Sequence, residues 1–151
     1  MNTNINFEQL EKDALEYFTV GKLACSESVI YAIRKNFEID LSDDAIAMSG
    51  GFPWGLGGAG CICGALAGGT MMIGYFFGRR EPGDPVIQKC FKLTNELHDA
   101  FKAEFGAACC RSQIAKYGDR NSPERKCHCI EIVKFTVKKT AEIILAGLEE
   151  A

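Results

Sequence analysis

The chain has 151 residues, with 17 Lys and Arg against 20 Asp and Glu and a formal net charge of -3. That length suits one domain, able to bury roughly two-thirds of its unfolded surface without disulfide staples. The acidic balance, with basic residues only in the short pairs Arg79-Arg80, Arg125-Lys126 and Lys138-Lys139 that read as solvated helix ends or faces, argues against a nucleic-acid partner. Eight cysteines are several times the ordinary content, so the thiols are the chemistry to explain.

The first segment, MNTNINFEQLEKDALEYF, lacks a positive region followed by an apolar core and does not read as a secretory signal. A cytoplasmic protein is therefore expected, its thiols in a reducing medium where cysteine-rich patterns signal metal binding or redox catalysis. Phe7, Leu10, Ala14, Tyr17 and Phe18 share one face of a first helix ending near Gly21. Ser26 or Ser28 can cap a second helix carrying Val29, Ile30, Ile33 and Phe37. Ser42 with Asp43-Asp44 opens a short third helix, Ala45 to Met48, stopped by Gly50-Gly51.

The segment GGFPWGLGGAGCICGALAGG, Gly50 to Gly69, admits three readings. Gly55, Gly57 and Gly60 spell GxGxxG, but no β-branched strand precedes them, so a dinucleotide loop is disfavoured. No charge occurs from Ala45 to Gly78, yet glycines and Pro53 leave an apolar core only from Cys61 to Phe77, at the short edge of a membrane span. The third reading is a buried helix from about Cys63 to Phe77, with Gly60, Gly64 and Gly68 as a small-residue ridge and glycine beside Cys61 and Cys63 giving sulfur chemistry room. The same ridge, with the lone Trp54, leaves a homodimer open.

Asp84-Pro85 is a helix start, with Val86, Cys90, Leu93, Leu97 and Phe101 on one stripe and Gly106 at the end. A short helix from about Cys110 to Tyr117 leads into a polar loop, GDRNSPERK. The last helix, from near Cys127, places Ile130, Val133, Val137, Ala141, Ile144 and Leu148 on one face. The expected fold is all-α: a single domain over residues 1–151, a bundle of about five to seven helices around a buried glycine-rich central helix.

Cys25, Cys63, Cys110 and Cys129 each fall in the first turn of an expected helix or just before it, where unpaired N–H groups favour thiolate and lower the pKa. Cys90, mid-helix on an apolar stripe, reads as a core residue. Cys61, Cys109 and Cys127 form CxC, CC and CxC groupings with their neighbours, which are not zinc-ribbon or ferredoxin spacings. His128, between two cysteines, reads either as a ligand or as a solvent-facing residue, and His98 as surface or boundary.

Four segments carry a resemblance: CSESV at Cys25, CGALAG at Cys63 matching CGAxxG, FGAACCR around Cys110, and CIEIV at Cys129. In that order they resemble the C_GCAxxG_C_C family of redox-active proteins over nearly the whole chain. Members of that family accompany transporter or oxidoreductase loci, and a similar domain accompanies haem segments in split-Soret cytochromes, which implies electron transfer. This chain has no CxxCH, so covalent c-type haem is not expected. Carried over residue by residue, the resemblance selects Cys25, Cys63, Cys110 and Cys129, leaving Cys61, Cys109 and Cys127 as extras and the choice between Cys109 and Cys110, and between Cys127 and Cys129, open.

The leading expectation is a helical redox protein whose four cysteines hold an iron-sulfur cluster for one-electron transfer to an unidentified redox partner. The alternatives are metal-free thiol-disulfide or peroxide chemistry, with Cys63 or Cys110 attacking, and a zinc-stabilised module that binds another protein.

Overall fold

The computed structural model describes residues 1–150. In chain order its helices are α1 (Phe7–Thr19), α2 (Cys25–Phe37), α3 (Asp43–Ala47), the four-residue α4 (Pro53–Leu56), α5 (Gly64–Phe77), α6 (Ile87–Phe105), α7 (Cys110–Ile114) and α8 (Pro123–Glu149), with a 3-10 turn at Ala115–Tyr117. Among the described residues there is no strand. The all-α expectation holds.

Local chemistry sets most of the boundaries. Asn6, Ser42 and Ser122 each accept a backbone N–H from three residues on, at 3.0, 3.1 and 3.2 Å, and so cap α1, α3 and α8. At α2 the cap differs from expectation. Neither Ser26 nor Ser28 serves; the Glu27 carboxylate accepts the Ala24 N–H at 3.1 Å, and the two hydroxyls donate to the carbonyls of Ser49 and Ala24. At α6 the Asp84 side chain accepts the Val86 N–H at 2.9 Å, but Pro85 and Val86 form a turn before the helix, and Val86 is exposed rather than on the buried stripe.

The last helix begins four residues before the expected Cys127. The sequence Ser-Pro-Glu places a capping hydroxyl, a proline at the first helical position and an acid in the first turn, all of which favour a helix start. The polarity of these residues made them resemble a loop. The longer helix puts Cys129 in its second turn, so the argument from helix starts does not apply to Cys129.

Helix α5 is the axis. It is apolar around its circumference and packs against α2, α6 and α8, burying Leu66, Met72, Ile73 and Phe77. Glycines set how closely. A Cβ on Gly68 would lie 2.6 Å from the Ser26 carbonyl oxygen, and one on Gly69 would press on Thr140 and on Leu97 at 3.0 Å. The expected ridge is thus shorter than Gly60 to Gly68: Gly60 lies outside the helix, in a loop against Arg111. Cys90 is in the core with Leu93, Leu97 and Phe101, as its stripe predicts. No described helix is long and apolar enough to cross a membrane.

Candidate functional site

Three helix starts and one helix interior bring four cysteines to one end of the bundle. Cys25 is the first residue of α2, Cys63 caps α5, Cys110 is the first residue of α7 and Cys129 lies in α8. Gly64 permits the closest of these approaches, since a Cβ there would overlap Cys25 Sγ and come within 3.3 Å of Pro53 Cα. Cys25, Cys110 and Cys129 line a cleft of about 250 Å³ with Phe18, Pro53, Trp54 and Arg125. Cys63 is buried, close enough to the other three for their charges to act on one another. All eight cysteines are free thiols.

The electrostatics reverse the sequence-based expectation of lowered thiol pKa values. Amides do face the sulfurs, Ser26 at Cys25 and Ala65 and Leu66 at Cys63, and they favour thiolate. Burial is stronger. It pushes Cys25 up to about 12 and Cys63 to about 11, helped by repulsion from the neighbouring cysteines. Cys110 is also raised, by burial and by Cys129, against the opposing pull of Arg120 and Arg125.

Those two arginines belong to the site and were not legible as such. The guanidinium of Arg120 lies 4.1 Å from the Trp54 ring centroid and that of Arg125 4.7 Å. Arg125 Nε is buried without a protein hydrogen-bond partner. Arg125 therefore does not behave as a solvated helix end. Trp54 itself sits at φ 60, followed by Gly55 at φ 64 and Leu56 at φ 58. For side chains other than glycine such left-handed backbone costs on the order of 1–2 kcal/mol per residue. The lone tryptophan was the visible signal; its partners, more than sixty residues away in sequence, were not.

The remaining candidates separate from the four. Cys61 and Cys109 face each other with sulfurs 3.9 Å apart at the surface. The Cys109 thiol is pushed up by its hydrogen bond to Cys61 and by the proximity of that sulfur. Cys127 is exposed beside Tyr117 and His128. His128 does not point freely to solvent: its Nε2 pairs with Gln113 Oε1 at 2.9 Å, its ring packs near Phe105 and Tyr117, and burial lowers its pKa. His98 is half-buried at the surface, next to Asp99.

Among the described residues, no three Cys, His, Asp or Glu side chains are gathered as the ligands of a single metal ion. A tetrahedral zinc site would hold its sulfurs about 3.8 Å apart, given a metal-sulfur bond of about 2.3 Å. Cys25, Cys110 and Cys129 line the cleft, and Cys63 lies buried near them.

No curated protein and no solved structure matches the chain. A family model described as "Putative redox-active protein (C_GCAxxG_C_C)" matches residues 23–143, a span that contains all four cysteines, the glycine loop and both arginines. The chain belongs to the C_GCAxxG_C_C family of redox-active proteins.

Proposed function

We propose that Cys25, Cys63, Cys110 and Cys129 hold an iron-sulfur cluster and that the protein passes single electrons to and from a redox partner. The observation that carries this reading is the gathering of four cysteines from four helices, three of them lining one cleft and Cys63 buried within reach of their charges, beside two guanidinium groups. Three features of the chain fit the group. Thiolates are the soft donors that such clusters require. The cleft beside Cys25, Cys110 and Cys129 has room for more than one atom. Arg125 Nε is a buried donor lacking a partner, suited to an anionic sulfur.

When bound, the cluster supplies a one-electron couple whose potential depends on its charge, hydrogen bonds to sulfur and solvent exposure. The chain's residues divide the remaining work. Cys63 is buried among core residues and keeps water from the inner side. Arg120 and Arg125 offset negative charge near Cys110, and Trp54 holds both guanidiniums in place. Ligand thiols must lose their protons, so loading releases acid and is favoured by higher pH.

The test is iron and sulfide analysis with a visible spectrum on protein purified without oxygen. Stoichiometric iron and sulfide, lost on changing each of the four cysteines to serine, are expected. Unchanged iron content and spectra in all four variants would overturn the reading. A colourless protein carrying stoichiometric zinc would favour the module reading instead.

A further inference from the structure

Two backbone hydrogen bonds clamp the glycine loop to the start of α7 and the residues just before it. The Cys63 N–H donates to the Ala108 carbonyl at 2.8 Å and the Arg111 N–H to the Gly60 carbonyl at 3.1 Å. The pairing runs antiparallel and brackets Cys61 on one side and Cys109 on the other. The Arg111 side chain adds a third tie, donating to the Ala59 carbonyl at 2.6 Å, and it occupies the space that a Cβ on Gly60 would need. The 3.9 Å separation of the two sulfurs is thus built by main-chain geometry on both sides. Bond formation requires an approach to about 2.05 Å, a movement within reach of side-chain rotation.

A second cleft of about 250 Å³ adjoins the pair. Gly60, Cys110, Arg111 and Arg120 line it, so chain neighbours of both thiols rather than the thiols themselves form its wall, and the Arg111 charge acts on Cys109. Cys61 is exposed, whereas Cys109 is partly covered. Neither belongs to the four cysteines assigned above, so the inference does not depend on a cluster.

We propose that Cys61 and Cys109 are a second redox site, a dithiol that reduces low-molecular-weight disulfides bearing carboxylates. The more exposed Cys61, as thiolate, attacks one sulfur of the substrate disulfide, breaking its S–S bond and releasing the first thiolate. Cys109, as thiolate, then attacks Cys61 Sγ in the mixed disulfide, forming the Cys61–Cys109 bond and releasing the second. Two electrons pass from the protein to the substrate. The two protons lost by the cysteine thiols end on the two released thiols or in solvent. The guanidiniums of Arg111 and Arg120 attract the substrate's carboxylates.

The experiment uses the full chain, reduced and freed of oxygen, mixed with glutathione disulfide, quenched by alkylation at intervals and mapped by mass spectrometry. The first disulfide is expected to join Cys61 to Cys109, with two thiols consumed per chain. Cys109→Ser should accumulate glutathione on Cys61, while Cys61→Ser should react at least about tenfold more slowly at the pair, because the attacking group is gone. Glutathione disulfide should oxidise the pair at least about fivefold faster than cystamine, a cationic disulfide, with the ratio shrinking as salt is added. A first disulfide involving Cys25, Cys63, Cys110 or Cys129 would overturn the proposal, as would a pair that stays reduced at high glutathione disulfide. Equal rates with cystamine would overturn the assigned substrate class. Circular dichroism of both serine variants, expected to match the parent because Cys61 and Cys109 lie outside the core, shows that any loss is not one of folding.

Discussion

Two cysteine groups lie within a few residues of each other and differ in almost every physical respect. Cys63 and Cys110 belong to the inner four; Cys61 and Cys109, two residues and one residue away, make the outer pair. Three of the inner cysteines line a cleft, with burial keeping Cys25 and Cys63 protonated far above neutral pH. The outer sulfurs face each other at the surface. On the readings proposed above, the inner group shares a cluster and the outer pair bonds to itself. Burial makes that distinction, since a desolvated thiol gains more from a cationic centre than an exposed one does.

The largest effect that would test this comparison is chemical reactivity. Raising Cys63 from 9.0 to about 11 reduces its thiolate fraction at neutral pH about a hundredfold. With metal removed, iodoacetamide should therefore label the exposed Cys61 at least about ten times faster than the buried Cys63, whose higher intrinsic nucleophilicity offsets only part of its lost thiolate. Comparable labelling rates would remove the contrast. The sign in stability follows: the folded state favours the neutral inner thiols, so their contribution is complete below pH 9 and is lost as pH rises through about 11 to 12.

A structural break comes next. Gly64→Val would drive a side chain into Cys25 Sγ and the Pro53 backbone, and should cost about 3 kcal/mol by overpacking. Denaturant unfolding measures the loss. Glutathione disulfide should still close the outer pair in the folded fraction; failure there would mean that the two groups share one support.

Asp13→Ala sharpens the comparison from a distance. Asp13 is buried in α1 and is held by Lys35 at 3.0 Å, Asn36 and Gln9, far along α2 from Cys25. Burial would raise its pKa, but the hydrogen bonds from Asn36, Lys35 and Gln9 prevail and lower it. Removing it should cost about 2 kcal/mol by stranding its partners. The carboxylate's contribution is present above the unfolded value near 3.8 and is lost as pH falls through its lower folded value. Thermal unfolding should show both effects while the labelling order of the cysteines stays unchanged.

The smallest effect concerns Arg125. Arg125→Gln removes a positive charge near Cys110 and should shift the potential of the proposed cluster negative by tens of millivolts, on the order of a nearby partly screened charge. Spectroelectrochemistry measures it. An unchanged potential would place Arg125 outside the electrostatics of the inner site.

The sequence by itself determined most of the helices, because they are written in local order, and its motif order picked out Cys25, Cys63, Cys110 and Cys129 as the candidates. Periodic apolar residues define α1, α2, α6 and α8 without reference to neighbours, and CGALAG marks Cys63 by its own spacing. The start of α8 was also written locally, in Ser122, Pro123 and Glu124, but was hidden by polarity. Tertiary structure decided what the cysteines experience. The helix-start rule gave the correct amides at Cys25 and Cys63 but the wrong direction for their pKa values, because desolvation depends on atoms from other helices. The Trp54, Arg120 and Arg125 assembly and the facing of Cys61 with Cys109 join residues far apart in the chain. Such contacts follow from how closely glycine lets α5 approach α2 and from the backbone clamp between the loop and α7, which no local pattern encodes.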